Sequence, residues 1–132
     1  MEYKVIFLET VPVRRGRGTG EAIRFQVFCA DEFYQEVRIT VSGPMLRTMG
    51  KDSVDGLVVK EICDWVRGVI RHSIDQEEIS ADEDEPFVVP LFGEMAAHLA
   101  ETDLEGPPVN PGEVAFTFDL ADRPTSANAA AG

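Results

Sequence analysis

Apolar residues recur at every second position in three stretches of the N-terminal third. In residues 3–13, Tyr3, Val5 and Phe7 share one side and Ile6 and Leu8 the other, the pattern of a strand covered on both faces at this end. Pro12 cannot donate to a ladder, so it predicts an edge position or a strand end. Residues 22–30 point Ile23, Phe25, Val27 and Cys29 one way, with Arg24 and Gln26 opposite. Residues 35–42 repeat the pattern, with Val37, Ile39 and Val41 inward and Glu36, Arg38 and Thr40 outward. Asp31-Glu32-Phe33-Tyr34 reads as the turn between them, which makes a β-hairpin. With the first strand, the hairpin completes a three-stranded antiparallel meander.

The period then changes from two to 3.6. Ser42 is placed to cap a short helix, Pro44 suits its first turn, and Gly50 stops it after Met49. The main helix is predicted from about Ser53 to His72. Val54, Leu57, Val58, Val59, Ile62, Trp65, Val66, Val69 and Ile70 cover more than half its circumference. Lys60, Asp64, Arg67 and Arg71 take the opposite arc, where Lys60/Asp64 and Asp64/Arg67 are spaced to pair. An apolar arc that wide exceeds what one sheet face covers. The excess predicts a second contact, with the C-terminal region or another subunit.

Residues 75–86 hold seven acids and almost no apolar anchor, the composition of a flexible acidic linker. Residues 87–92 are a short apolar run, a strand or a docking stretch. Residues 93–102 read as a short helix, and 114–120 alternate as a last strand. Residues 121–132 lack periodicity and are expected to be a disordered tail. The predicted fold is therefore one α+β domain over residues 1–120. It has an antiparallel meander, joined by a C-terminal fourth strand, on one long amphipathic helix with a short second helix.

Charge adds an asymmetry to this plan. The chain of 132 residues carries a net charge of −12. Residues 1–71 contain 11 of the 12 Lys and Arg residues but only 10 of the 24 acids. Everything after them holds one cation, Arg123, and 14 acids. Asymmetry of this kind points to interaction surfaces. Two features stand out: the arginines Arg14, Arg15 and Arg17 in a Gly-rich hairpin loop over 14–20, and the acids Asp82, Glu83, Asp84 and Glu85. The turn aromatics Phe33 and Tyr34 are either a third candidate contact or a pair that folds back to cover the sheet.

Candidate chemistry is thin by comparison. The Gly16-Arg17-Gly18-Thr19-Gly20 loop is followed by a strand, whereas a phosphate fingerprint needs a helix there. The acidic run places Pro86 and Phe87 where a calcium loop needs a ligand and a glycine. His72 and His98 lie in no zinc-binding spacing, and Cys63 and His72 fall on opposite sides of the helix. Cys29 and Cys63 form no CxxC, and two cysteines make no disulfide framework. Met1-Glu2-Tyr3-Lys4 lacks the basic start and small-residue cleavage site expected of a signal peptide, and no apolar run approaches the roughly 20 residues of a membrane span.

The expectation is thus a small cytoplasmic protein-binding module, non-catalytic and without cofactor or metal, acting as an adaptor, regulator or inhibitor. Its acidic segment would meet a basic protein partner, and homodimerisation is a companion expectation. The alternative is a nucleic-acid-binding protein that grips phosphates through the arginine loop.

Overall fold

The computed structural model describes residues 1–15, 18–81 and 84–120. The predicted Arg17, Asp82, Glu83 and C-terminal tail lie outside these, as does the side chain of Arg15. The chain is α+β, with a five-stranded mixed sheet and three helices. In order these are β1 (Glu2–Arg15), β2 (Gly18–Cys29), β3 (Glu32–Val41), α1 (Gly43–Met49), α2 (Gly56–Asp75), β4 (Phe87–Pro90), α3 (Gly93–Glu101) and β5 (Val114–Asp119).

The sheet order is β4-β3-β2-β1-β5. The expected meander is present as β1-β2-β3, and β5 adds to β1 antiparallel. The expectation of a purely antiparallel sheet is corrected by β4, which pairs with β3 in parallel. Helix length explains the direction. The 20 residues of α2 rise about 30 Å. The 10 residues of β3 span about 33 Å. One long helix therefore carries the chain back to the end where β3 began, and the next strand must run alongside it. The short helix expected after Ser42 forms as α1, which adds a third helix to the plan of one long and one short helix.

The cap of α1 follows the sequence signals. Ser42 Oγ accepts from Met45 N at 3.3 Å, and Gly50 closes the helix in the left-handed region at φ 69°. In α2 the cap is Asp55, two residues beyond the expected start near Ser53. Its Oδ1 accepts from Leu57 N and Val58 N at 3.1 and 3.0 Å, so the helix starts at Gly56 and runs to Asp75.

The β2–β3 connection is tighter than its sequence suggests. Ala30 and Asp31 form it alone, both left-handed, at φ 52° and 65°. A two-residue hairpin turn with both centres left-handed matches the sheet's twist but is normally built from Asn and Gly. That chemistry is missing here, so the sequence placed the turn at residues 31–34. Phe33 and Tyr34 instead belong to β3. The arginine loop is shortened in the same way. Arg14 pairs with Thr19 and Arg15 with Gly18, so the ladder runs almost to the tip.

The core lies between the inner sheet face and the helices. Tyr3, Val5, Phe7, Ile23, Phe25, Val27, Val37, Ile39, Val41, Phe116 and Phe118 meet Val58, Val59, Ile62, Val66 and Ile70 of α2. The excess apolar arc of α2 is covered by the C-terminal region. Trp65 packs on Phe92 at 5.4 Å between ring centroids, and Val109 N donates to Gly56 O. Of the two expected surface pairs, Asp64–Arg67 forms, whereas Lys60 donates to Glu105 O. The acidic segment has an anchor after all. Ile79 is 2% exposed in the core, and Gln35 Nε2 donates to Ser80 O at 3.1 Å.

Candidate functional site

All three helices contribute to the core on one side of the sheet, and Ile6, Leu8, Phe28 and Val88 on the other side do not join it. This corrects the expectation that the start of β1 is covered on both faces. The strand registers order the outer face into rows. Lys4, Phe28 and Phe33 lie abreast across β1, β2 and β3. Further along, Glu9, Arg24, Arg38 and Val88 form one row, and Val11, Ala22, Thr40 and Pro90 the next. The parity change that brings Glu9 into line comes from a bulge at Leu8.

Arg24 and Arg38 face each other directly, which alone would be unfavourable. Glu36 resolves the conflict. Arg24 donates to Glu36 at 2.8 Å and to Glu9 at 3.2 Å, and Arg38 Nε donates to the other Glu36 oxygen. Burial pushes the Glu36 carboxyl up, but the hydrogen bonds from Arg24 and Arg38 outweigh it and hold it below the usual carboxylate range. The hydrogen bond to Glu36 likewise raises the Arg24 guanidinium above its ordinary value. Arg24 Nε is buried without a hydrogen-bond partner among the described residues.

Beyond that row the outer face becomes a trough of about 390 Å³. Val13, Thr19 and Gly20 of the β1–β2 ribbon form one wall, Thr40 its floor, Pro44 one end, and Val88 and Pro90 of β4 the other wall. Gly20 lets the ribbon approach β3, since a Cβ there would collide with Val41 O. Arg38 is opposite Val88, and Arg47 Nη1 lies 3.7 Å from where a Cβ on Gly43 would stand, whereas exposed Arg14 alternates with Val13 and so lies on the other face of the ribbon. The one acid among the lining residues, Glu21, is engaged, its carboxylate accepting from Val54 N at 2.9 Å.

A second cleft, about 470 Å³, lies between the β1 bulge, the start of α2 and residues 108–111. Its two carboxylates already have work: Glu9 holds Arg24, and Asp55 caps α2.

The structure does not gather the residues singled out from the sequence. Arg14 pairs with Thr19 and Phe33 with Phe28, nine residues further along β2. That separation is about 30 Å. Phe33 is 55% exposed, edge-on to Phe28. Tyr34 is half-buried edge-on to Tyr3, and its hydroxyl donates to Ile79 O at 3.2 Å, so it serves the fold. Asp84 and Glu85 are exposed before β4. Arg38 and Val88 were missed. Their proximity depends on the parallel β3–β4 register, which no local pattern encodes.

Neither His98 nor Cys63 stands in a catalytic arrangement. His98 Nε2 is 2.9 Å from Glu61 Oε1, but the nearby Thr102 hydroxyl donates to His98 O at 2.7 Å. The trio ties α3 to α2 on an open surface. Burial pushes the Cys63 thiol up to about 11, and it donates to Val59 O, so it packs instead of attacking. Among the described residues, no three His, Cys, Asp or Glu side chains cluster to hold a metal ion, and no helix is long and apolar enough to cross a membrane. No family model, no curated protein and no solved structure matches the chain.

Proposed function

We propose that this chain is a non-catalytic protein-binding module that presents the uncovered face of its sheet to a protein partner. The observation that carries the reading is the one-sided covering of the sheet. Every helix among the described residues packs on the inner face, while the outer face leaves Phe33 and Val88 55% and 48% exposed, with an apolar trough beside Val88. Exposed apolar surface rimmed by polar groups is characteristic of contact sites. The fixed charge row through Glu9, Arg24, Glu36 and Arg38 supplies orientation without mobile side chains to order on binding. Contact by edge pairing has less support. β4 is four residues long and ends at Pro90, and β5 carries a bulge and ends at Asp119, both of which blunt an edge.

Capture from lysate with three baits tests this reading: the full chain, Phe33→Asp/Val88→Asp, and a control altered on the exposed surface of α2, Arg71→Ala. A stoichiometric protein held by the full chain and the control but lost from the double variant is the expected result. Equal capture by all three, or loss from the α2 control alone, would place the contact elsewhere.

A further inference from the structure

We infer that the occupant of the uncovered sheet face is a second copy of this chain, packed face to face so that Phe33 of each copy enters the trough of the other. The inference rests on the binding-module reading and names its partner. The strand registers carry it. The inner-face residues Phe7, Phe25 and Val37 mark a line across β1, β2 and β3. On β2, Phe28 lies three residues to one side of this line and Ala22 three residues to the other. Their neighbours on β3 are Phe33 and Thr40. A two-fold axis along the line therefore sets Phe33 of one copy over Thr40 of the other. Thr40 is the floor of the trough, between Gly20 on one wall and Val88 on the other. The aromatic ring that stands 55% exposed thus meets the depression, and no aromatic ring among the described residues lines that depression already.

The same reversal makes the charges compatible. Glu36 stands over Arg38 of the second copy and Gln26 over its Arg24, so no two like charges meet. A two-fold axis along β2 would instead set Arg24 against its own counterpart, a repulsive contact. Within these rows the outer face carries Lys4, Arg24 and Arg38 against Glu9 and Glu36. Two chains of net charge −12 repel each other overall, but not across this face. Its size also fits. Four strands abreast over the length from Gly20 to Phe28 cover about 500 Å² at the usual strand spacing and rise. Two copies would bury about 1,000 Å² in all, the least that a specific interface needs. The dimer is therefore weak and reversible.

Sedimentation equilibrium of the full chain over a concentration series tests this. The expected result is a concentration-dependent dimer, which Phe33→Asp and Val88→Asp each weaken about tenfold or more, the scale of a buried anchor. Both residues are exposed in the single chain, so each variant should keep the amide spectrum of the folded sheet. An equimolar mixture of the two variants should dimerise more tightly than either alone. In the mixed pair one Phe33 still faces one intact trough, a rescue that a folding defect would not give. A chain that stays monomeric up to about 1 mM would overturn the inference. So would a dimer that neither substitution weakens, or variants that show no rescue on mixing. The binding-module reading fails separately, by equal capture of a lysate protein on all three baits, whatever the oligomeric state.

Discussion

Arg38 stands directly opposite Val88 in the parallel β3–β4 pair, so a guanidinium and an exposed aliphatic side chain share the outer face of the sheet. These residues are 50 positions apart, and each is ordinary alone. Their adjacency follows from the length of α2, which returns the chain to the start of β3. A charged row and an apolar trough thus meet where the sheet is uncovered, and the functional proposal grows from that junction.

The Ala30-Asp31 turn stores backbone strain that a better turn sequence should release. A left-handed conformation costs an L-residue with a Cβ roughly 1–2 kcal/mol. Replacing the pair by Asn-Gly suits the left-handed geometry at both positions. The double variant should be more stable by about 1 kcal/mol, raising Tm by about 3–4 °C in a chain of this size. Calorimetry would show it. An unchanged or lower Tm would mean the turn carries no such strain.

Gly56 seats residues 108–112 against the start of α2. A Cβ there would collide with Val109 O and press on Pro108. Gly56→Ala should cost about 2 kcal/mol through forced displacement of packed backbone. Hydrogen exchange should quicken at Val109 and Gly112, whose amides donate to Gly56 O and Phe7 O. Unaltered exchange at both amides would contradict the close packing.

Glu36 should stabilise the fold in a pH-dependent way. Its carboxyl is held below the ordinary value of 4.5, so the unfolded chain binds its proton more readily than the folded one. The contribution is therefore complete above the unfolded value and is lost as pH falls through the folded one. Urea denaturation should find Glu36→Gln less stable by about 1–3 kcal/mol at pH 7, with the difference shrinking below about pH 4.5. A constant difference down to pH 3 would remove the ionic role assigned to this carboxylate.

Adjacent Phe33 and Tyr34 should behave as opposites. Tyr34→Phe removes the hydroxyl that donates to Ile79 O and should cost about 1 kcal/mol. Phe33→Ser alters an exposed ring and should change stability by less than about 0.5 kcal/mol. Thermal melts of the two variants make the comparison, and equal losses would argue against the separate roles.

Much of the architecture was legible because local patterning and burial agree. The alternation of Val37, Ile39 and Val41 gave a strand and its inner face, and Ser42 and Gly50 marked both ends of α1. The wide apolar arc of α2 foretold a second contact, which Phe92 and Val109 supply. What escaped were relations that local sequence does not carry. Ala30-Asp31 adopts a turn without its usual residues, and β4 takes its direction from a helix. The candidate site was less legible still. Arg14 and Phe33 were legible as exposed groups, but the trough exists only through the registers that place Gly20, Thr40 and Val88 around one space.

The most direct test of the uncovered face as the contact surface is amide hydrogen exchange on the full chain, free and in complex with its captured partner. Slowed exchange across β3, β4 and the β1–β2 ribbon, with the exposed side of α2 unchanged, is the predicted footprint. Protection centred on α2 and α3, with the outer strands exchanging as in the free chain, would contradict the account.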